Sequence, residues 1–138
     1  MSPPNEDLKK AGLKVTLPRV KVLQTLRDTH DRHHSAEEVY KLLLEAGEDV
    51  GLATVYRVLT QFESAGLVAR HHFEGGHSVF ELADDSHHDH IVCLSCGKVE
   101  EFHDELIEAR QNEVAEGMGY VLKNHSHYLY GNCAACQG

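Results

Sequence analysis

Four cysteines fall into two Cys-x-x-Cys pairs, Cys93/Cys96 and Cys133/Cys136, with 36 residues between the pairs. Thiolates are soft ligands, and a two-residue gap lets both sulfurs of a pair face one point from a tight knuckle. The spacing therefore predicts a closed, tetrahedral Zn²⁺ site. The competing chemistry is a pair of disulfides or thioredoxin-like redox dithiols. No apolar secretion signal precedes the first charged residues, which predicts a reducing cytoplasmic setting and disfavours disulfides. With so long a gap between the pairs, the ion would tie a whole subdomain together.

A second polar constellation, His87-His88-Asp89-His90, stands directly before Ile91-Val92-Cys93. If this segment is a strand, side chains alternate, so His88 and His90 share one face while His87 and Asp89 share the other. One strand can then seed two mixed nitrogen/oxygen sites of the kind that accepts Fe²⁺, Mn²⁺, Co²⁺ or Zn²⁺, each completed from elsewhere. The chain has 12 histidines. Spacing alone assigns no role to His30, His34, His71, His72, His77, His103 or His127.

The elements that must position these groups come in two styles, which meet near Ala83-Asp84-Asp85-Ser86. Helices dominate before that point. Leu17–Leu26 has Pro18 near its start and apolar residues at helical spacing. Ser35-Ala36-Glu37-Glu38 forms a capping box ahead of Val39, Leu42, Leu43 and Ala46, with Gly47 as the stop. A third helix is expected from about Leu52 to Ala65, with Val55, Val58, Leu59 and Phe62 on its buried side. The period then changes to two. Leu67–Phe73, a Glu74-Gly75-Gly76 turn and His77–Leu82 read as a β-hairpin.

Three helices and a hairpin are the order of a winged helix-turn-helix, which makes the third helix the recognition element. Thr54, Tyr56 and Arg57 emerge from it where base edges and phosphates are met. The Tyr56 ring suits a thymine methyl, and Arg57 suits a guanine or a phosphate.

Charge sharpens this division. The net charge of −9 is unpromising for nucleic acid, but residues 1–83 carry 10 Lys/Arg against 12 Asp/Glu, whereas residues 84–138 carry 3 against 10. The first 27 residues hold Lys9, Lys10, Lys14, Arg19, Lys21 and Arg27 against Glu6 and Asp7. A basic edge thus sits on an acidic protein, and Lys14 and Arg19 become DNA-contact candidates. With 138 residues, the chain can form two small domains, the second needing its metal staple. The expected division is a winged-helix DNA-binding domain over 1–83 and a dimerisation and metal-binding domain over 84–138, hinged at about 83–86. The fold class is α+β, the second domain being a small α/β unit with antiparallel strands and the four-cysteine zinc site. A zinc enzyme would need an open coordination position beside a general base, and the His-Glu-x-x-His helix motif is absent.

Five segments together resemble the ferric uptake regulator family of metal-responsive bacterial repressors. They are Ala11–Arg19, Gly51–Leu59, Phe73–Gly76, His87–His90 with Cys93 and Cys96, and Asn124-His125-Ser126. The resemblance implies a regulatory interdomain metal site of His33, Glu81, His88 and His90. It also implies a second site of His87, Asp89, Glu108 from a helix near Asp104–Glu116, and His125 from a later strand. It further implies a homodimer or higher oligomer that binds AT-rich palindromic double-stranded DNA. There Lys14 enters the minor groove and Tyr56 and Arg57 the major groove. Fe²⁺ would be the co-repressor, with Mn²⁺, Co²⁺ or Zn²⁺ as substitutes and Zn²⁺ as the structural ion. A zinc- or peroxide-sensing repressor is the alternative within the family, and a metal-buffering protein without DNA the alternative outside it.

Overall fold

The protein is described from a computed structural model over residues 3–29, 33–74, 78–83 and 88–137. It divides into two compact units, Met1–Asp84 and Asp85–Gly138.

The first unit opens with a short helix, α1 (Pro4–Lys10), which the periodicity reading had not included. At seven residues it is too short to show a repeat, and it is held by tertiary contacts. Leu8 is fully buried, and Asp7 pairs with Arg27 of the next helix. Helix α2 (Leu17–Asp28) is capped by Thr16, whose hydroxyl accepts from the Arg19 N–H. Helix α3 (Ala36–Glu45) begins with the expected reciprocal box. The Glu38 N–H donates to Ser35 Oγ and the Ser35 N–H donates to Glu38 Oε1, both at 3.1 Å. This satisfies two of the donors that a helix start leaves orphaned. Gly47 ends the turn after α3 with φ +78°, a left-handed backbone that a Cβ disfavours.

Helix α4 (Leu52–Ser64) buries Val55, Val58, Leu59 and Phe62, a stripe at helical spacing. Strands β1 (Val68–His72) and β2 (Ser78–Leu82) form the hairpin, antiparallel with Arg70 opposite Phe80 and Ala69 opposite Glu81. The Gly75-Gly76 turn lies outside the described residues. One core joins these parts, centred on Leu8, Leu23, Leu43, Leu59, Phe62 and Phe80. The winged helix-turn-helix is therefore present, with four helices among the described residues where three were expected.

The second unit is a three-stranded sheet of order β4-β3-β5 beside one helix. Strand β3 (Asp89–Cys93) pairs antiparallel with β4 (Val99–Phe102) across the first cysteine knuckle. Helix α5 (Glu105–Gly117) follows, capped by Asp104, and leads back to β5 (Tyr128–Gly131). The expected antiparallel strands are thus β3 and β4, and β5 adds a parallel neighbour on the other side of β3. The reason is connectivity: β4 and α5 both intervene between β3 and β5, and only such a long connection lets the chain re-enter the sheet beside β3 in the same direction. A short 3₁₀ turn, Ala134–Cys136, carries the second knuckle.

Candidate metal centres and nucleic-acid interface

The four cysteines converge within the second unit. Their sulfurs all lie within 4.8 Å of one another, and none is in a disulfide. Cys96 Sγ and Cys133 Sγ are 3.8 Å apart. Tetrahedral zinc with Zn–S bonds of about 2.3 Å requires sulfurs about 3.8 Å apart, so the donor set fits the ion. The knuckles are braced against each other by Ser95 Oγ, which donates to Asn132 Oδ1 at 2.9 Å. Electrostatics prepares one ligand in particular. The Cys133 and Cys96 N–H groups point at Cys93 Sγ from 3.3 and 3.5 Å and draw its pKa down to about 6. Cys136 moves the other way, to about 12, because hydrogen bonding with Cys133 first, then with Cys93 and Cys96, favours its protonated thiol.

A second cluster in the same unit unites Asp89, Glu108 and His125, with ligand atoms within 4.8 Å of one another. Asp89 is fully buried on β3, and Glu108 Oε2 lies 2.9 Å from His125 Nε2. The first turn of α5 delivers Glu108 because Asp104 caps that helix, accepting from the Leu106 and Ile107 N–H groups. His125 stands in irregular chain ahead of β5, a correction to its expected place in a strand. Tertiary contacts hold that segment. Gln111 Nε2 meets His127 Nδ1 at 3.2 Å, and the His90 N–H donates to the His127 carbonyl at 3.1 Å. His87, the fourth expected ligand, lies outside the described residues, as do residues 84–86 of the expected hinge. Two carboxylates and an imidazole form a hard, nitrogen/oxygen donor set suited to Mn²⁺, Fe²⁺ or Zn²⁺.

The four residues expected to form the regulatory site divide between the units. In the first, His33 Nε2 stands 3.1 Å from Glu81 Oε2, and both side chains are buried. A single β-bridge achieves this. The His34 N–H donates to the Phe80 carbonyl and the Phe80 N–H to the His34 carbonyl, which seats the loop before α3 alongside β2. His34 itself turns to Thr29 Oγ1 at 2.8 Å. Glu81 Oε1 meets His71 Nε2 at 2.6 Å. His71 received no role from spacing, yet the hairpin register sets it diagonal to Glu81. In the second unit His90 is buried on β3 opposite Glu101 of β4, and His88 Nδ1 is 3.6 Å from Glu101 Oε2. Glu101 was missed because a lone Glu in a short acidic strand carries no spacing signal.

On α4, Tyr56 and Arg57 are exposed and Thr54 is half-buried. Lys14 is exposed in the segment between α1 and α2. Arg19 is instead drawn inward. It donates to Gln61 Oε1 through Nε and Nη2 and to the Lys14 carbonyl through Nη1 at 2.8 Å, fixing the backbone that carries Lys14. No described helix is long and apolar enough to cross a membrane.

A winged helix-turn-helix joined to a unit built around metal-ligand clusters defines a metal-responsive transcription regulator. Comparison with known proteins carries this further. The profile of the ferric uptake regulator family matches residues 10–130. The chain is similar to the ferric uptake regulation protein of Legionella pneumophila, 63% identical over 133 residues that cover 96% of this chain and 98% of that protein. It is similar in structure to the Vibrio cholerae ferric uptake regulator, whose DNA-binding domains are described as structurally rearranged. The TM-score there is 0.89 at 61% identity, covering 94% of this chain and 98% of that one. Against the Pseudomonas aeruginosa regulator with manganese, the TM-score is 0.80 at 61% identity over 95% and 98% of the two chains. The chain belongs to the ferric uptake regulator family, and it is a metal-dependent transcriptional repressor, not an enzyme.

Proposed function

We propose that this repressor binds AT-rich inverted-repeat operators of iron-uptake genes as a cytoplasmic homodimer, with Fe²⁺ as co-repressor. The observation that carries the reading is that one unit holds both halves of the chemistry. It presents Tyr56 and Arg57 on an exposed helix face, and it pairs the buried, ligand-type side chains His33 and Glu81 at 3.1 Å. A buried imidazole and a buried carboxylate converging on one point are a nitrogen/oxygen donor set of the kind that takes Fe²⁺ or Mn²⁺. In this reading His33 and Glu81 share one regulatory ion with His88 and His90 of the second unit, and Glu101 assists. Filling that site selects the arrangement of recognition helices that spans both half-sites. Each linked ion then contributes about 1–3 kcal/mol to DNA affinity. Asp89, Glu108 and His125, with His87, hold a second ion, and the four cysteines hold zinc. Lys14 reaches the minor groove, Arg19 braces Lys14, and Thr54, Tyr56 and Arg57 enter the major groove.

Dimerisation is supported by the apolar side chains that the second unit leaves in water. Leu106, Met118, Tyr120 and Val121 are 81%, 70%, 66% and 80% exposed. Tyr120 and Val121 line a cleft of about 670 Å³ between α5 and residues 120–125. Large apolar side chains left this exposed call for a partner, and a second copy supplies the two-fold symmetry of a palindrome.

The test is fluorescence anisotropy of a labelled AT-rich inverted repeat with protein that keeps its cysteine-bound zinc but has lost weaker metal. Added Mn²⁺, an air-stable stand-in for Fe²⁺, should tighten binding at least tenfold, and His88→Ala should abolish the gain. Equal binding with and without Mn²⁺ would refute the metal switch.

A further inference from the structure

Arg70 lies on β1 and belongs to none of the ligand clusters among the described residues, and the metal chemistry leaves it unused. Its surroundings are nonetheless built with care. The guanidinium carbon sits 4.9 Å from the centre of the Phe80 ring and 5.2 Å from the centre of the Tyr56 ring. Its Nη2 donates to the Tyr56 hydroxyl, and its Nη1 lies 3.7 Å from Glu63 Oε1. Phe80 is itself immobile, being 1% exposed and bonded to His34 through both backbone groups. The result is a stack of Phe80, Arg70 and Tyr56 that begins in the core and ends at the surface of α4.

Tyr56 stands at 48% exposure. A half-exposed tyrosine ordinarily samples several rotamers, and a base can be read only after the ring has been ordered. Cation–π contact and the hydroxyl hydrogen bond do that ordering before DNA arrives. Glu63 meanwhile offsets the charge of Arg70, and the Arg70 side chain is only 15% exposed. Both features argue against Arg70 as a phosphate contact.

We propose that Arg70 is a positioning residue for operator reading, holding the Tyr56 ring in the orientation that recognises a thymine methyl. The proposal rests on the reading of Tyr56 as a major-groove contact, and the test separates the two. The probe is an AT-rich inverted-repeat duplex selected from a random pool by the zinc-containing, Mn²⁺-saturated wild-type chain. Each thymine is replaced in turn by deoxyuracil, which removes only the methyl group. Anisotropy affinities are taken for wild type, Tyr56→Ala, Tyr56→Phe and Arg70→Met at several salt concentrations.

Wild type should lose about fivefold at one thymine per half-site, the scale of one good apolar or cation–π contact. Tyr56→Ala should erase that penalty. Arg70→Met should reduce it below about twofold with the salt dependence unchanged, since no phosphate contact is lost. Tyr56→Phe, which keeps the ring and removes only an exposed hydroxyl, should weaken the penalty part-way and covers the case in which Arg70→Met fails to fold. If Tyr56→Ala keeps the penalty, Tyr56 does not read the base and the DNA-reading scheme fails first. If Tyr56→Ala erases it while Arg70→Met or Tyr56→Phe keeps it in full, the positioning role is wrong. A salt slope that falls by about one phosphate contact in Arg70→Met would make Arg70 a backbone contact and overturn the proposal.

Discussion

Glu81 is gripped from both sides: His33 Nε2 approaches one carboxylate oxygen at 3.1 Å while His71 Nε2 holds the other at 2.6 Å. Two histidines on one carboxylate serve different ends. A ligating carboxylate is oriented by the hydrogen bond its second oxygen makes, and outer partners of this kind typically change metal affinity by about 10–100-fold. His71→Ala should therefore weaken Mn²⁺ binding at the site that uses Glu81 by about tenfold, while the cysteine-bound zinc is untouched. Room-temperature electron paramagnetic resonance of free Mn²⁺ in a titration reads this directly. Unchanged affinity would show that Glu81 needs no orienting partner.

Asp89 is fully buried beside Glu108 and His125. Asp89→Asn keeps the shape and removes the charge, so one Mn²⁺ equivalent should be lost or weakened by at least about tenfold. Glu108→Ala should do the same. Isothermal titration calorimetry under anaerobic conditions counts the sites, and two variants that retain full stoichiometry would remove this cluster from the metal-binding set.

Proton linkage at the cysteines has a definite sign in zinc-stripped protein. Folding lowers the Cys93 pKa from 9.0 to about 6, so its stabilising contribution is complete above pH 9 and disappears as pH falls to about 6. Folding raises the Cys136 pKa from 9.0 to about 12, so that contribution is complete below pH 9 and disappears as pH rises toward 12. Urea unfolding of stripped wild type and stripped Cys93→Ser should therefore differ at pH 9 and converge near pH 6. A gap that widened as pH fell would contradict this geometry. In zinc-loaded protein, Cys93→Ser should release the metal, as followed by a colorimetric zinc chelator.

Ser35→Ala removes one arm of the capping box and leaves a helix-start N–H without its acceptor. It should cost about 1 kcal/mol in urea unfolding. Leu59→Ala, at a fully buried position of α4, should cost about 2–5 kcal/mol because it also opens a cavity. If the two costs were equal, the core described for the first unit would be wrong at Leu59.

The sequence by itself determined what short-range physics controls. A capping box needs only residues 35 and 38, a cysteine knuckle only a two-residue gap, and the α4 stripe only helical spacing, so all three were legible before any tertiary contact was known. Residues that meet across long stretches of chain were not. Nothing local distinguishes His33 from His34; the bridge between His34 and Phe80 does, because backbone pairing of one turns its neighbour toward Glu81. Nothing local marks His71, Glu101 or Arg70, whose roles come from strand register against Glu81, His90 and Phe80. The parallel course of β5 and the irregular chain around His125 likewise follow from how α5 returns to the sheet. Side-chain type limits what chemistry a residue can do, but the partner that gives it a task is brought by the fold, through contacts whose loop-closure cost only the folded chain as a whole can offset.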